Sequence, residues 1–199
     1  DNTTMGEDME LAVKLHVYCR ENGRRYRIRY VSDAVCWTQV PERMGDLFRQ
    51  RRRWHIGLFQ SMAKYKNILA NPKYGAVSFI SYFYFLLYEL FSPYIEVFGV
   101  LTTLLAFAVD LINVPFMILF FGIYVVYTAL LSLTAFFARV HTIDLKLYPM
   151  DALKAVGLCV AEVSCLRFML AWVRMTALIG YRKKKHTWGH IERQKIQIK

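Results

Sequence analysis

The chain has 199 residues, is 56% hydrophobic and 16% aromatic, and still carries a formal net charge of +11. Its length sets a prior of one or two domains. Charge and apolarity are segregated: no Lys or Arg lies between Tyr74 and Ala138. With no nucleic-acid motif present, this pattern points to a lipid bilayer and not to nucleic acid, and the positive flanks mark the cytoplasmic side.

Taken in order, Thr4-Met5-Gly6-Glu7 matches a capping box, with Thr4 as N-cap and Glu7 at the third helical position. Leu11, Leu15 and Tyr18 then repeat on one helical face, and Gly23 supplies the stop. Tyr26–Val31 alternates as a strand does, and Ala34–Val40 reads as a second strand closed by Pro41. The fold class expected is therefore an α/β remnant over residues 1–43, too short to bury a core alone, followed by an α-helical interfacial and transmembrane region. The absence of an initiating Met and the opening in mid-motif predict a piece of a longer protein.

A basic amphipathic helix is expected over about 44–70, within a segment 44–73 that ends at Asn71-Pro72. Leu47, Trp54, Leu58, Met62, Tyr65 and Leu69 recur at helical spacing. Gln50, Arg53 and Trp54 stand at i, i+3 and i+4 and form one patch. A guanidinium grips phosphate oxygens in a fork. An amide both donates and accepts, and an indole offers an apolar face with one N–H. The competing reading is a helix docked on lipid phosphates. Arg51 and Arg52 are read as solvated or lipid-facing.

Residues 74–181 form the membrane region. Spans are expected at about 93–110 and at 114–138, the latter long enough for a ~30 Å hydrocarbon core. Asp110–Asn113 makes a tight extracytoplasmic turn between them. Further membrane-associated helices are expected at about 75–91, interfacial or re-entrant, and at 151–181. Glu89, Glu96, Glu162, Arg167 and Arg174 are ionisable at membrane depth, where they pair with one another or line a polar path. Residues 182–199 form a basic cytoplasmic tail. The four cysteines show no CxxC spacing, so neither a metal site nor a disulfide framework is indicated. His186 and His190, at i and i+4, lack a third ligand.

The ordered set Gly6-Glu7-Asp8, then Gln50-Arg51-Arg52-Arg53-Trp54, then the apolar block resembles the membrane-embedded family 2 glycosyltransferases: cellulose, hyaluronan, chitin and poly-N-acetylglucosamine synthases and their relatives. Arg49–Gly57 and Trp188-Gly189-His190-Ile191-Glu192-Arg193 carry the resemblance further. It covers the C-terminal half of that family, so residues 1–43 would be the C-terminal end of a GT-A-type domain. It implies an inverting transfer of a sugar from a nucleotide-diphosphate donor to a growing polysaccharide or lipid-linked glycan. The location implied is the cytoplasmic face of a multi-pass protein in the cytoplasmic (inner) membrane. By the same resemblance Asp8 is the general base and Glu7 orients the site. Gln50 and Arg53 hold the diphosphate, and Trp54 packs on the acceptor sugar. Mg²⁺ or Mn²⁺ is implied, with its ligands outside this chain, so the chain alone is expected to be inactive. Gly6 departs from the Thr of many synthases. Two alternatives stand beside this reading: a single-transfer glycolipid glycosyltransferase, and a non-catalytic membrane anchor or transporter subunit.

Overall fold

The computed structural model describes residues 4–29, 31, 34, 36, 38–142, 146, 148–179 and 181. The basic tail, with His186, His190 and the Trp188–Arg193 run, lies outside the described residues. Among the described residues the main helices are α1 (Glu7–Glu21), α2 (Met44–Lys64), α3 (Val77–Leu90), α4 (Ser92–Ala108), α5 (Val114–Thr142) and α6 (Pro149–Leu178). The chain divides into two compact units, Asp1–Pro93 with Val173–Lys199, and Tyr94–Trp172.

Among the described residues of 26–31 and 34–40 there is no strand. The α/β character expected of residues 1–43 is therefore not found among them. Alternation records a preference for a half-buried pleated surface, and a ladder needs a paired neighbour. Here Ile28, Val31 and Val40 are all exposed.

In the first unit α1 begins at Glu7 with Gly6 as N-cap, and no side chain caps it. Thr4 is instead buried, and its hydroxyl meets no partner among the described residues. The acidic first turn, Glu7, Asp8 and Glu10, complements the helix dipole in place of a cap. Leu11, Leu15 and Tyr18 are exposed. The half-buried stripe is Met9, Val13 and Val17, which packs on a core of Leu58, Met62, Ile68, Tyr74, Tyr82 and Leu90. Both sets obey helical spacing, and tertiary contact selects between them. Gly23 takes a left-handed conformation (φ 61°), and the Arg24 N–H reaches back to the Cys19 carbonyl at 2.9 Å, closing the helix.

Helix α2 follows Pro41, and Asp46 in its first turn pairs with Arg49. It ends at Lys64, short of Asn71-Pro72, and the intervening residues make a 3₁₀ turn whose Ile68 is buried. The Tyr82 hydroxyl donates to the Met62 carbonyl at 2.9 Å, and the Ser78 hydroxyl donates to the Ile68 carbonyl. These bonds tie α3 to the end of α2. Two π-helical stretches, Val77–Ser81 and Phe85–Leu90, flank the α-helical centre of α3. Arg174, near the end of α6, donates to the Glu89 backbone carbonyl at 2.6 Å and lies 3.4 Å from its carboxylate.

In the second unit α5 and α6 pack along each other. Asp110 closes α4 with φ 52°, a conformation Asp tolerates, and Asn113 caps α5 by accepting from the Phe116 N–H at 3.1 Å. Arg167 donates to Glu96 at 2.8 Å with its guanidinium over the Tyr124 ring. Four of the ionisable residues expected at membrane depth thus pair, Glu89 with Arg174 and Glu96 with Arg167. The outward faces of α4 and α5 are almost wholly apolar. Two helices, α5 and α6, are long and apolar enough to cross a membrane. The pair α3 and α4, interrupted at Phe91, makes a third candidate if it is one span.

Candidate active site

Positions 50, 53, 57, 60 and 64 of α2 are spaced alternately by three and four residues, so Gln50, Arg53, Gly57, Gln60 and Lys64 form one stripe. The start of α1 is seated on the C-terminal part of that stripe. The Met5 N–H donates to Gln60 Oε1 at 2.7 Å in a buried bond. Gly6 lies directly on Gly57: a Cβ built on Gly57 would stand 2.7 Å from the Gly6 nitrogen and 2.9 Å from its Cα. The Glu10 carboxylate, 3% exposed, accepts from Lys64 Nζ at 2.8 Å and from the Tyr65 hydroxyl at 2.6 Å. Beneath the junction Met5 and Ile56 pack on Ala177, which is fully buried at the end of α6.

Charge follows this geometry. Burial works against the ionised Glu10 carboxyl, but the hydrogen bonds from Lys64 and Tyr65 outweigh it, and its pKa lies below the ordinary value. The hydrogen bond to Glu10 raises Lys64. Burial, then the bond to Glu10, pushes Tyr65 up to about 12. His55 is buried next to Trp54 in the chain. Burial first, and the nearby Arg174 charge second, push its pKa down to about 4, so it is neutral at pH 7.

The structure brings the expected site residues onto two joined elements. Glu7 and Asp8 are exposed in the first turn of α1. Gln50 and Arg53 are half-buried and continue, toward the start of α2, the stripe on which α1 rests. Trp54 is half exposed beside them, at 47%. Three features were missed by sequence reasoning. Gly57 and Gln60 hold the α1 start; the signal available was their place in the stripe through Gln50 and Arg53. Arg51, expected to be solvated or lipid-facing, lies with its guanidinium 4.9 Å from the Trp54 ring centroid, a stacking that the i, i+3 spacing permits.

Such an arrangement offers carboxylates next to the residue seated on Gly57, a guanidinium and an amide on the same stripe toward the start of α2, and a flat apolar ring alongside. That suits a reaction pairing an acceptor hydroxyl with an anionic leaving group. No three His, Cys, Asp or Glu side chains among the described residues converge to hold a metal ion. The residues described therefore do not fit the implied Mg²⁺ or Mn²⁺ by themselves.

A family profile described as glycosyl transferase family group 2 matches residues 1–181. Poly-beta-1,6-N-acetyl-D-glucosamine synthase of Staphylococcus aureus (strain COL) is 42% identical over 57 residues, 29% of this chain and 12% of the relative. The synthase of the same name from Staphylococcus epidermidis is 39% identical over 57 residues, with the same coverage. The match thus spans about an eighth of the length of these curated relatives. No solved structure matches. With the profile running through both motif helices and all the candidate spans, the chain belongs to glycosyl transferase family group 2.

Proposed function

We propose that this chain supplies part of the catalytic site of an inverting glycosyltransferase, moving a sugar from a nucleotide-diphosphate donor to a growing polysaccharide at the cytoplasmic membrane face. The observation that carries the reading is the seating of the Gly6-Glu7-Asp8 turn on Gly57. That contact joins the carboxylates to the helix whose same stripe bears Gln50 and Arg53.

In this scheme Asp8 takes the proton from an acceptor hydroxyl while that oxygen attacks the anomeric carbon. The bond from that carbon to the diphosphate oxygen breaks, and the nucleoside diphosphate leaves with the electron pair. Displacement from the opposite face inverts the centre. Arg53 and Gln50 hold the diphosphate and take up the charge that develops on it. Glu7 orients the turn, and Trp54 packs on the acceptor sugar. Similarity to poly-beta-1,6-N-acetyl-D-glucosamine synthases favours an N-acetylglucosamine polymer over a single transfer to a glycolipid.

One contact supports a membrane path. Ala177 packs on Met5 and Ile56, so the run between α2 and the end of α6 begins and ends on one side and holds an even number of crossings. The basic residues of α2 favour the cytoplasm for that side.

Replacing Asp8 by Asn in the intact protein tests the scheme. Transfer in isolated membranes falls by about 10²–10⁴-fold while donor binding persists. Near-normal turnover would return Asp8 to a helix-dipole role.

A further inference from the structure

Two glycines of α2 differ sharply in surroundings. Among the described residues, a Cβ on Gly45 meets nothing within 4 Å. A Cβ on Gly57 meets the Gly6 nitrogen at 2.7 Å, the Gly6 Cα at 2.9 Å and the Met5 carbonyl carbon at 3.0 Å. All three are backbone atoms, so no side-chain rotation relieves the clash. Gly57 is helical and has no need of glycine's backbone freedom; only the close approach of α1 explains the residue there.

The crossing is locked around that point. Met5 on one side of Gly6 is bonded to Gln60. Glu10, on the other side, is bonded to Lys64 and Tyr65. Glu7 and Asp8 lie between these two anchors, and their height above α2 is set by how closely Gly6 approaches Gly57. Conversely, Gln50 and Arg53 belong to α2 itself and do not depend on α1 for their place.

We propose that Gly57 is a positioning residue: by leaving α2 bare at the crossing, it sets the distance between the Asp8 carboxylate and the diphosphate-binding stripe, and so governs the chemical step without touching substrate. This rests on the proposed function above. It makes the two halves of the site separable, because the donor half lies on one helix and the base on the other.

Gly57→Ala in the intact protein, assayed for transfer in membranes, is the test. Ala is the better helix former, so α2 itself is not weakened. The α1 start must move outward, and a misplacement near 1 Å costs about 10²-fold in rate. The expected result is a fall in kcat of about 10–100-fold with the donor KM within about 2-fold of wild type, while Gly45→Ala matches wild type in both. Gly6→Phe adds a ring at the same crossing, where a Cβ would already stand 3.4 Å from the Gly57 Cα, and leaves α2 untouched. It produces the same split and serves as the deciding variant if Gly57→Ala does not accumulate in membranes. Wild-type kcat in the deciding variant, or a raised donor KM with unchanged kcat, overturns the inference. If Asp8→Asn is inactive while the crowded variant is fully active, this inference alone fails. If Asp8→Asn is fully active, the proposed function fails and takes this inference with it.

Discussion

Replacing Glu10 by Ala should loosen the joint between the two motif helices. The Glu10 side chain is 3% exposed and receives two hydrogen bonds, from Lys64 Nζ at 2.8 Å and the Tyr65 hydroxyl at 2.6 Å. Hydrogen bonds involving a charged group contribute about 1.5–3 kcal/mol each. The Lys64 side chain is 33% exposed and regains water when its partner is lost, so its share falls to about 1 kcal/mol or less. Tyr65 is half-buried and recovers less. The loss is then about 2–3 kcal/mol, or about 5–10 °C in thermal midpoint for a chain of this size. Thermal unfolding of the detergent-solubilised protein measures it, and a cycle with Lys64→Ala isolates the ion pair at about 1 kcal/mol of coupling. The sign with pH is fixed as well. Because the folded pKa of Glu10 is depressed below 4.5, its contribution is present above that value and is lost as pH falls through the folded pKa. An unchanged midpoint for Glu10→Ala at pH 7 would refute the claim that this cluster holds α1 on α2.

Two further expectations follow from the same unit. His55, ordinarily near 6.5, is held at about 4 by burial and by Arg174; the unfolded chain therefore gains a proton first, and stability falls by about 3 kcal/mol between pH 6.5 and 4. His55→Leu should flatten that part of the pH–stability profile, and a profile of unchanged steepness would exclude His55 as its source. Single cysteines placed at Lys66 and at Ile179, in an otherwise cysteine-free background, should be labelled by a membrane-impermeant thiol reagent from the same side of the bilayer; labelling from opposite sides would overturn the even number of crossings.

How much of this could be read from the residues depends on the range of the forces involved. The apolar block and its basic flanks are compositional, and α5 lies where a charge-free run of that length puts it. The i, i+3, i+4 geometry of Gln50, Arg53 and Trp54 is local and follows once α2 is a helix. Which stripe of α1 faces inward is not local. Leu11, Leu15 and Tyr18 satisfy the periodicity as well as Met9, Val13 and Val17 do, and only contact with Leu58 and Met62 decides. The N-cap differs for a related reason: Thr4 has the chemistry of a cap but is buried, and Gly6, which lies against Gly57, takes the position. The strands expected near Tyr26 and Ala34 rest on alternation alone, and alternation carries no information about a pairing partner. The ion pairs of Arg167 with Glu96 and Arg174 with Glu89 join residues 71 and 85 positions apart, beyond any helical spacing rule.

The claim at the centre of this account is that α2 carries a diphosphate-binding stripe and is more than a lipid-docking surface. The most direct measurement compares Arg53→Lys with Arg52→Lys in the intact protein, by sugar transfer in membranes at matched expression. Both changes keep a positive charge, and each would alter attraction to an anionic membrane by well under the roughly 1 kcal/mol that a whole charge contributes. Only the first removes a planar guanidinium from the stripe shared by Gln50 and Gly57. The expected transfer rate is at least about tenfold lower for Arg53→Lys, as for losing a bidentate contact to a developing anion, with Arg52→Lys near wild type. Equal activity of the two variants would contradict it and leave α2 as a basic helix on a lipid surface.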